Sequence, residues 1–332
     1  MTPKTNADTI IYSPNDIVSY GTRYLDERRT KKHQAIPLGL PSIDADFLPL
    51  LPGELCSIIG RPGNGKTGLM MAWARNRARW LLDNGLNDRV VVYATWEQSI
   101  EELYAFNVSA DSGVSITEMA RGNVADGDWA AILTSGSRRL KIPLWFIGHS
   151  IARRKARPSL TMTDFEAAVR GVEDWRGDEG RFTVDMIFVD YLQRIKFEGR
   201  VESKTIGVSD NLDRCKDLAL STGCPVVVGV QAVRDVDRRD DPTPQMDDGQ
   251  WTSNIEQASD AVLSLVRPAK YRSAGEMFPG EGGLIVTGNS QMFFKCCKRK
   301  LGPDNWGKWI DFDPRYNRLD EAEVKTYDFK ND

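Results

Sequence analysis

Eight consecutive residues, Gly60-Arg61-Pro62-Gly63-Asn64-Gly65-Lys66-Thr67, match G-x-x-x-x-G-K-[ST] and limit what this chain can fold into more than anything else in it. They follow an apolar run over 55–59 and open an amphipathic stretch over 67–82, the place where a strand gives way to a helix. Glycines there let backbone N–H groups turn inward around a phosphate, and a helix N-terminus adds partial positive charge. Lys66 is the residue type that reaches β- and γ-phosphates, and a Thr67 hydroxyl can ligate Mg2+. Average residue usage puts a chance match in a chain this long on the order of 1%, and the flanking strand and helix lower it further. The loop from Gly60 to Thr67 is therefore the candidate nucleotide site, with ATP and Mg2+ as the expected ligands.

Around it, short β-branched runs alternate with amphipathic ones. Strands are predicted over 55–59, 90–94, 144–147, 186–189, 226–230, 261–266, 292–296 and 309–312, and helices over 67–82, 163–175 and 209–221. Nearly continuous apolar strands interleaved with helices predict an α/β fold with a mostly parallel central sheet covered on both faces. The last strands follow one another closely, so the sheet should turn mixed at its C-terminal edge. Asn84-Gly85 stops the first helix. Before this domain, Ser13-Pro14-Asn15-Asp16 reads as a helix start, with Ile17, Tyr20, Tyr24 and Leu25 on one stripe ahead of a charged run over 26–32. Residues 1–35 are expected to form an arm and linker helix, and 36–332 one ATPase domain. The helix is too short to build a core of its own, so it must dock on something.

The balance of Lys+Arg 44 against Asp+Glu 47, net −3, excludes a uniformly basic nucleic-acid binder, so any phosphate contact must come from local patches. No apolar run is long enough to span a membrane, and the polar start has no apolar core of a secretory signal; a cytoplasmic or nucleoid-associated protein without a membrane partner is expected. Five cysteines with no Cys-x-x-Cys pair read as reduced thiols in or near the core. With only His33 and His149, a zinc site is not expected, and a metal would be held by oxygen.

Two strands end in acids. Asp190 closes the run from Asp185; downstream of a phosphate loop it is a candidate to support Mg2+. Glu97 follows the run over 90–96 and could polarise an attacking water, with a solvated loop acid as the alternative. Two segments could form loops that meet nucleic acid. One carries Arg194, Lys196, Arg200 and Lys204; the other, over 234–254, is long, polar and without apolar periodicity. Trp251 near its end could stack on a base or pack under the loop.

Asp190-Tyr191-Leu192-Gln193 closing an apolar strand resembles the DnaB-type replicative helicases, hexameric members of the RecA-like P-loop superfamily. Arg61-Pro62 in the phosphate loop, Trp96-Glu97, the run from Pro225 to Gln231, that from Ser253 to Asp260, the run from Lys298 to Pro303 and that from Pro314 to Leu319 follow in the family's order. The resemblance implies an ATP hydrolase that unwinds DNA during replication, working as a homo-hexamer on single-stranded DNA. It implies that Lys66 and Thr67 hold nucleotide and Mg2+, that Glu97 activates water, and that Gln231 senses the γ-phosphate and relays its loss to the DNA loops. Lys298 and Lys300 would reach the nucleotide of an adjacent subunit; a primase or a helicase loader would be further partners. This sequence departs from the family pattern at Lys300, where an arginine is usual, and at Gln250, beside Trp251, where the family has an arginine. The helical N-terminal domain that contacts primase in the family is expected to be absent. The basic stretch Arg153-Arg154-Lys155-Ala156-Arg157 reads as an inserted surface loop. Competing readings are a RecA-type strand-exchange or regulatory ATPase, against which the Asp190-to-Gln193 tetrapeptide argues, and a non-motor assembly factor.

Overall fold

The computed structural model describes residues 11–30, 36–154, 160–251, 254–279, 284–286 and 288–322. The chain divides into two units, 1–36 and 37–332. In the first, helix α1 (Pro14–Thr30) begins where predicted: the Ser13 hydroxyl accepts the Asp16 N–H at 3.2 Å, and the Asp16 carboxylate accepts the Ser13 N–H at 2.9 Å. It continues through 26–30 of the charged run expected to end it, where an Asp26–Arg29 pair at 2.7 Å supports another turn. Ile17, Tyr20, Tyr24 and Leu25 are all exposed. Most of the predicted arm, the end of the charged run, His33 and residues 155–157 of the basic stretch lie outside the described residues.

The second unit runs α2 (Pro41–Asp44), β1 (Leu55–Gly60), α3 (Lys66–Asp83), β2 (Arg89–Thr95), α4 (Ile100–Ser112), α5 (Ile116–Arg121), α6 (Asp126–Arg139), β3 (Leu144–Ile147) and α7 (Met162–Glu173). Then come β4 (Thr183–Asp190), α8 (Lys204–Thr222), β5 (Val226–Gln231), α9 (Ile255–Ala258), β6 (Ala261–Val266), the short β7 (Met277–Phe278) and β8 (Leu284–Ile285), β9 (Gln291–Arg299), β10 (Trp306–Asp313) and β11 (Arg318–Glu321). Nine strands form one sheet in the order β11-β10-β9-β6-β1-β5-β4-β2-β3. From β6 to β3 every pairing is parallel; β9, β10 and β11 extend the other edge antiparallel. The mixed C-terminal edge is as predicted.

Alternation along the strands splits the core between two faces. Ile59, Val92, Ile187, Val189, Val226 and Val228 pack with Phe165 and Val169 of α7 and Val208 and Leu212 of α8. On the opposite face Phe188 meets Trp73 of α3 edge-on at 6.0 Å and stacks on Tyr93 at 5.8 Å. The same helix carries a buried ion pair to the sheet: Arg77 donates to Asp185 at 2.6 and 3.0 Å, and Arg89 adds a bond at 2.9 Å. The cysteines are all free, and burial pushes the Cys215 and Cys224 thiols up to about 12.

Besides the single turns α2 and α9, three helices were not predicted. α4, α5 and α6 stand between β2 and β3 and share a small cluster of Val108, Val114 and Ile132. The segment over 234–254, read from sequence as a long polar loop without apolar periodicity, is folded over its described residues 234–251. It contains 3-10 turns at Arg234–Arg238 and Met246–Asp248, buries Val236 and Thr243, and is closed by a two-bond Arg239–Asp248 pair at 2.7 and 2.6 Å. Among the described residues no helix is long and apolar enough to cross a membrane.

Candidate functional site

Parallel strands deliver their carboxyl ends to one edge of the sheet, and the chemistry-bearing residues collect there. The loop from Gly60 to Thr67 turns between β1 and α3 with Gly63 at φ +75 and Gly65 at φ +91, left-handed values that L side chains resist. A Cβ on Gly65 would also stand 2.8 Å from the Met292 sulfur. Lys66 is a buried residue, 9% exposed, and its ammonium donates to the carbonyls of Gly60 at 2.6 Å and Arg61 at 3.2 Å. Burial lowers its pKa from 10.5 to about 8, against the raising influence of Asp190 and Glu97. A cation is thus held beneath the loop's glycines, its hydrogen-bond partners among the described residues being these two carbonyls.

Asp190 closes β4 opposite Thr95 of β2. Its Oδ2 accepts the Thr67 hydroxyl at 2.8 Å and the Tyr93 hydroxyl at 2.9 Å. Burial raises its pKa, while the two hydroxyls and Lys66 oppose the rise. The Asp190–Tyr191 peptide is cis. Gln231 ends β5 opposite Gly60, and its side chain lines the same cleft. Glu97 lies two residues past β2 and is exposed at the rim; buried Trp96 anchors it, donating from its backbone to Asp190 O at 2.9 Å and from its indole to Leu160 O at 3.1 Å.

The cleft, about 340 Å³, brings together Lys66, Thr67, Asp190, Gln231 and Glu97. Its far wall was not predicted. Phe106, Ile116, Phe312 and Pro314 present an apolar surface, and Asn317 a buried amide whose Nδ2 has no hydrogen-bond partner among the described residues. Arg267, just past the end of β6, donates its backbone N–H to Asn64 at 3.0 Å and its guanidinium to Gly63 O at 3.2 Å, and lies 5.5 Å from the Phe312 ring centre. A cation following an apolar strand, as an acid closes β4, was the available signal for Arg267. Phe312 and Asn317 carried none, since they reach the cleft from more than 200 residues away through the order of the sheet. Arg61 faces away, donating to Ala232 O at 3.0 Å and pairing with Asp237 at 2.8 Å.

Arg194, Lys196, Arg200 and Lys204 are all exposed along the stretch that follows β4. Lys204 sits 4.8 Å over the ring of Trp251, which is 39% exposed at φ +60, so the two predicted DNA segments meet there. Gln250 is half-buried, its N–H donating to Gln231 O at 2.8 Å.

Lys298 and Lys300 do not join the cleft. They share a face of β9 and its continuation at the opposite edge of the sheet: Lys298 donates to the carbonyls of Glu256 (2.5 Å) and Ser259 (2.9 Å), while Lys300, its side chain 60% exposed, pairs with Asp260 at 3.2 Å. Arg299 points the other way and is buried, donating to Glu54 at 2.8 and 3.2 Å and to the carbonyls of Leu48 and Pro49 at 2.8 Å. That excludes Arg299 as a residue reaching outward.

Comparison with known proteins agrees with this geometry. Residues 35–296 match the model of the DnaB-like helicase C-terminal domain. The chain is 28% identical over 89% of its length to the replicative DNA helicase DnaB of Leifsonia xyli, and 26% over 73% to that of Geobacillus stearothermophilus. It is 27% identical over 76% of its length to a probable plasmid replicative DNA helicase of Chlamydia psittaci. It spans 59%, 49% and 51% of those relatives, respectively. In fold it superposes on a solved ATPase domain with a TM-score of 0.74 at 18% identity, over 92% of this chain and 99% of that one. It superposes equally, TM-score 0.74 at 19% identity, on a DnaB-like replicative helicase described with its interactions with primase, over 96% of this chain and 69% of that one. The fold is thus the RecA-like α/β fold of those ATPase domains, and the chain belongs to the DnaB-like helicase C-terminal domain family.

Proposed function

We propose that this chain is the ATP-driven motor domain of a DnaB-type replicative helicase, assembling as a homo-hexamer that moves on single-stranded DNA. The observation that carries the reading is the convergence of Lys66, Thr67, Asp190, Glu97 and Gln231 on one cleft, beside an apolar wall suited to a nucleobase. The residues fit a nucleotide with its metal. A buried ammonium ringed by carbonyls favours an anion over solvent, and a hydroxyl bonded to a buried carboxylate is an oxygen pair suited to a hard cation. Lys66 faces the β- and γ-phosphates, Thr67 ligates Mg2+, and Asp190 supports it. When bound, the metal neutralises charge on the phosphate oxygens. Glu97 polarises the attacking water, and Gln231 contacts the γ-phosphate. Lys298 and Lys300 serve the cleft of a second copy.

The DNA reading rests on the exposed cations Arg194, Lys196, Arg200 and Lys204, the last of which lies over the ring of Trp251. A net-acidic chain can still hold a strand with one such stripe, and an aromatic face accepts any base. Primase, with which a solved structural neighbour is described, is an expected protein partner, and a loader is expected from the family resemblance alone.

Steady-state ATP hydrolysis with and without single-stranded DNA, alongside unwinding of a forked duplex, tests the reading. Stimulation by DNA and unwinding are expected. Lys66→Ala should abolish nucleotide binding; Glu97→Gln should keep binding and slow hydrolysis about a hundredfold or more, the scale of a lost general base. Nucleotide binding without turnover in the parent chain would instead make it a non-motor factor.

A further inference from the structure

We infer that Gln193 is a positioning residue that couples the nucleotide cleft to the segment bearing Gln250 and Trp251. The main-chain ladder between β4 and β5 ends at Val189 opposite Val228, leaving the last residues of β5 without a strand partner on that side. Gln193, in the 3-10 turn Leu192–Arg194 just past β4, takes the missing place with its side chain. Its Oε1 accepts the Gln231 N–H at 3.1 Å, and its Nε2 donates to Gln250 O at 2.9 Å and, more weakly, to Gln231 O at 3.4 Å. The Gln250 N–H closes the circuit on Gln231 O at 2.8 Å.

Three segments are tied by one carboxamide: the turn behind Asp190, the strand end carrying Gln231, and the loop carrying Trp251. Only a group that accepts at one end and donates at the other, at this length, satisfies both bonds. On its far side the same strand end is held from the phosphate loop, where Arg61 donates to Ala232 O at 3.0 Å. A displacement of Gln231 by what binds in the cleft therefore passes through Gln193 to Gln250 and the next residue, Trp251. The inference rests on the proposed cleft function, but its first test does not need helicase activity.

Hydrogen–deuterium exchange is followed in the full-length chain with and without a non-hydrolysable ATP analogue and Mg2+, for the parent, Gln193→Met and Gln193→Glu. Glutamate keeps the acceptor for Gln231 but cannot donate to Gln250 when ionised; methionine keeps neither. The parent should show a nucleotide-dependent change over 245–251; both variants should lose it while the phosphate loop stays protected by the analogue. In kinetics, the apparent KM for ATP should stay within about twofold while the DNA-stimulated kcat falls about tenfold, within the usual span of coupling between sites. A nucleotide response over 245–251 that survives in either folded variant overturns the inference, as does a parent that shows none. Loss of phosphate-loop protection together with the loop response would also overturn it, marking Gln193 as merely structural. A parent that shows the exchange response but no DNA-stimulated hydrolysis would overturn the motor reading and leave the coupling standing.

Discussion

Lys66 sits in the free cleft with a pKa near 8, well below the 10.5 of an ordinary lysine, because burial disfavours its charge. The sign follows from proton counts. Between pH 8 and 10.5 the unfolded chain holds this proton and the folded chain does not, so the group's contribution to stability rises with pH through that window; the cost of burying the charge is fully present below it. A bound triphosphate restores the charge. Nucleotide binding above pH 8 should therefore take up a proton and weaken with rising pH, which calorimetry in buffers of different ionisation enthalpy would read directly. Neighbours in sequence can have opposite fates, as at Lys300 and Arg299. Lys300→Ala should cut DNA-saturated hydrolysis about a thousandfold, the scale of a lost finger, with nucleotide affinity kept, and Lys300→Arg should hold or raise the rate. Arg299→Ala strands the buried Glu54 carboxylate and should instead cost about 3–5 kcal/mol of stability in denaturant titration, with the rate per folded molecule retained. A rate collapse in Arg299→Ala at unchanged stability would reverse the assignment. Strand alternation alone was enough to place the two residues on opposite faces; the burial of one of them depends on a loop some 250 residues away and could not be read locally.

At the scale of elements, what could be read was whatever repeats locally. All eight predicted strands are present, with ends extended by up to three residues, because aliphatic runs bounded by turns have no other stable use in a covered sheet. The helices α4 to α6, which were not predicted, pack mainly on one another beside the sheet, through Val108 and Ile132. The signal lay in their caps, since Ser99 and Glu102 form a reciprocal capping box. The loop over 234–254 misled because its polar residues hold it together, through Arg239 and Asp248, where sequence suggests only solvation. The ion pair between α3 and β4 belongs here too. Asp185→Ala would leave Arg77, buried against the sheet, without its carboxylate, and should lower the urea midpoint by the equivalent of about 3–5 kcal/mol.

For the whole molecule, the exposed stripe of α1 on an element with no buried residue predicts that removing residues 1–32 lowers the assembly state measured by light scattering with ATP present; an unchanged mass would refute that role. The sheet adds a constraint of its own. β1 is six residues long, so its two ends lie about 20 Å apart at some 3.3 Å per residue. Lys66 works at the carboxyl end, whereas Lys300 hangs from Asp260, which grips the Leu55 N–H at the amino end. If Lys300 serves the cleft of a second copy, as proposed, a head-to-tail operator that joins these two ends of the sheet fits the proposed assembly, and repeating it either closes or runs on as a spiral. A closed set of n copies completes n clefts, and an open one completes n − 1, leaving a cleft without a lysine at one end and a lysine without a cleft at the other. An open set would therefore differ at its seam without any difference in sequence.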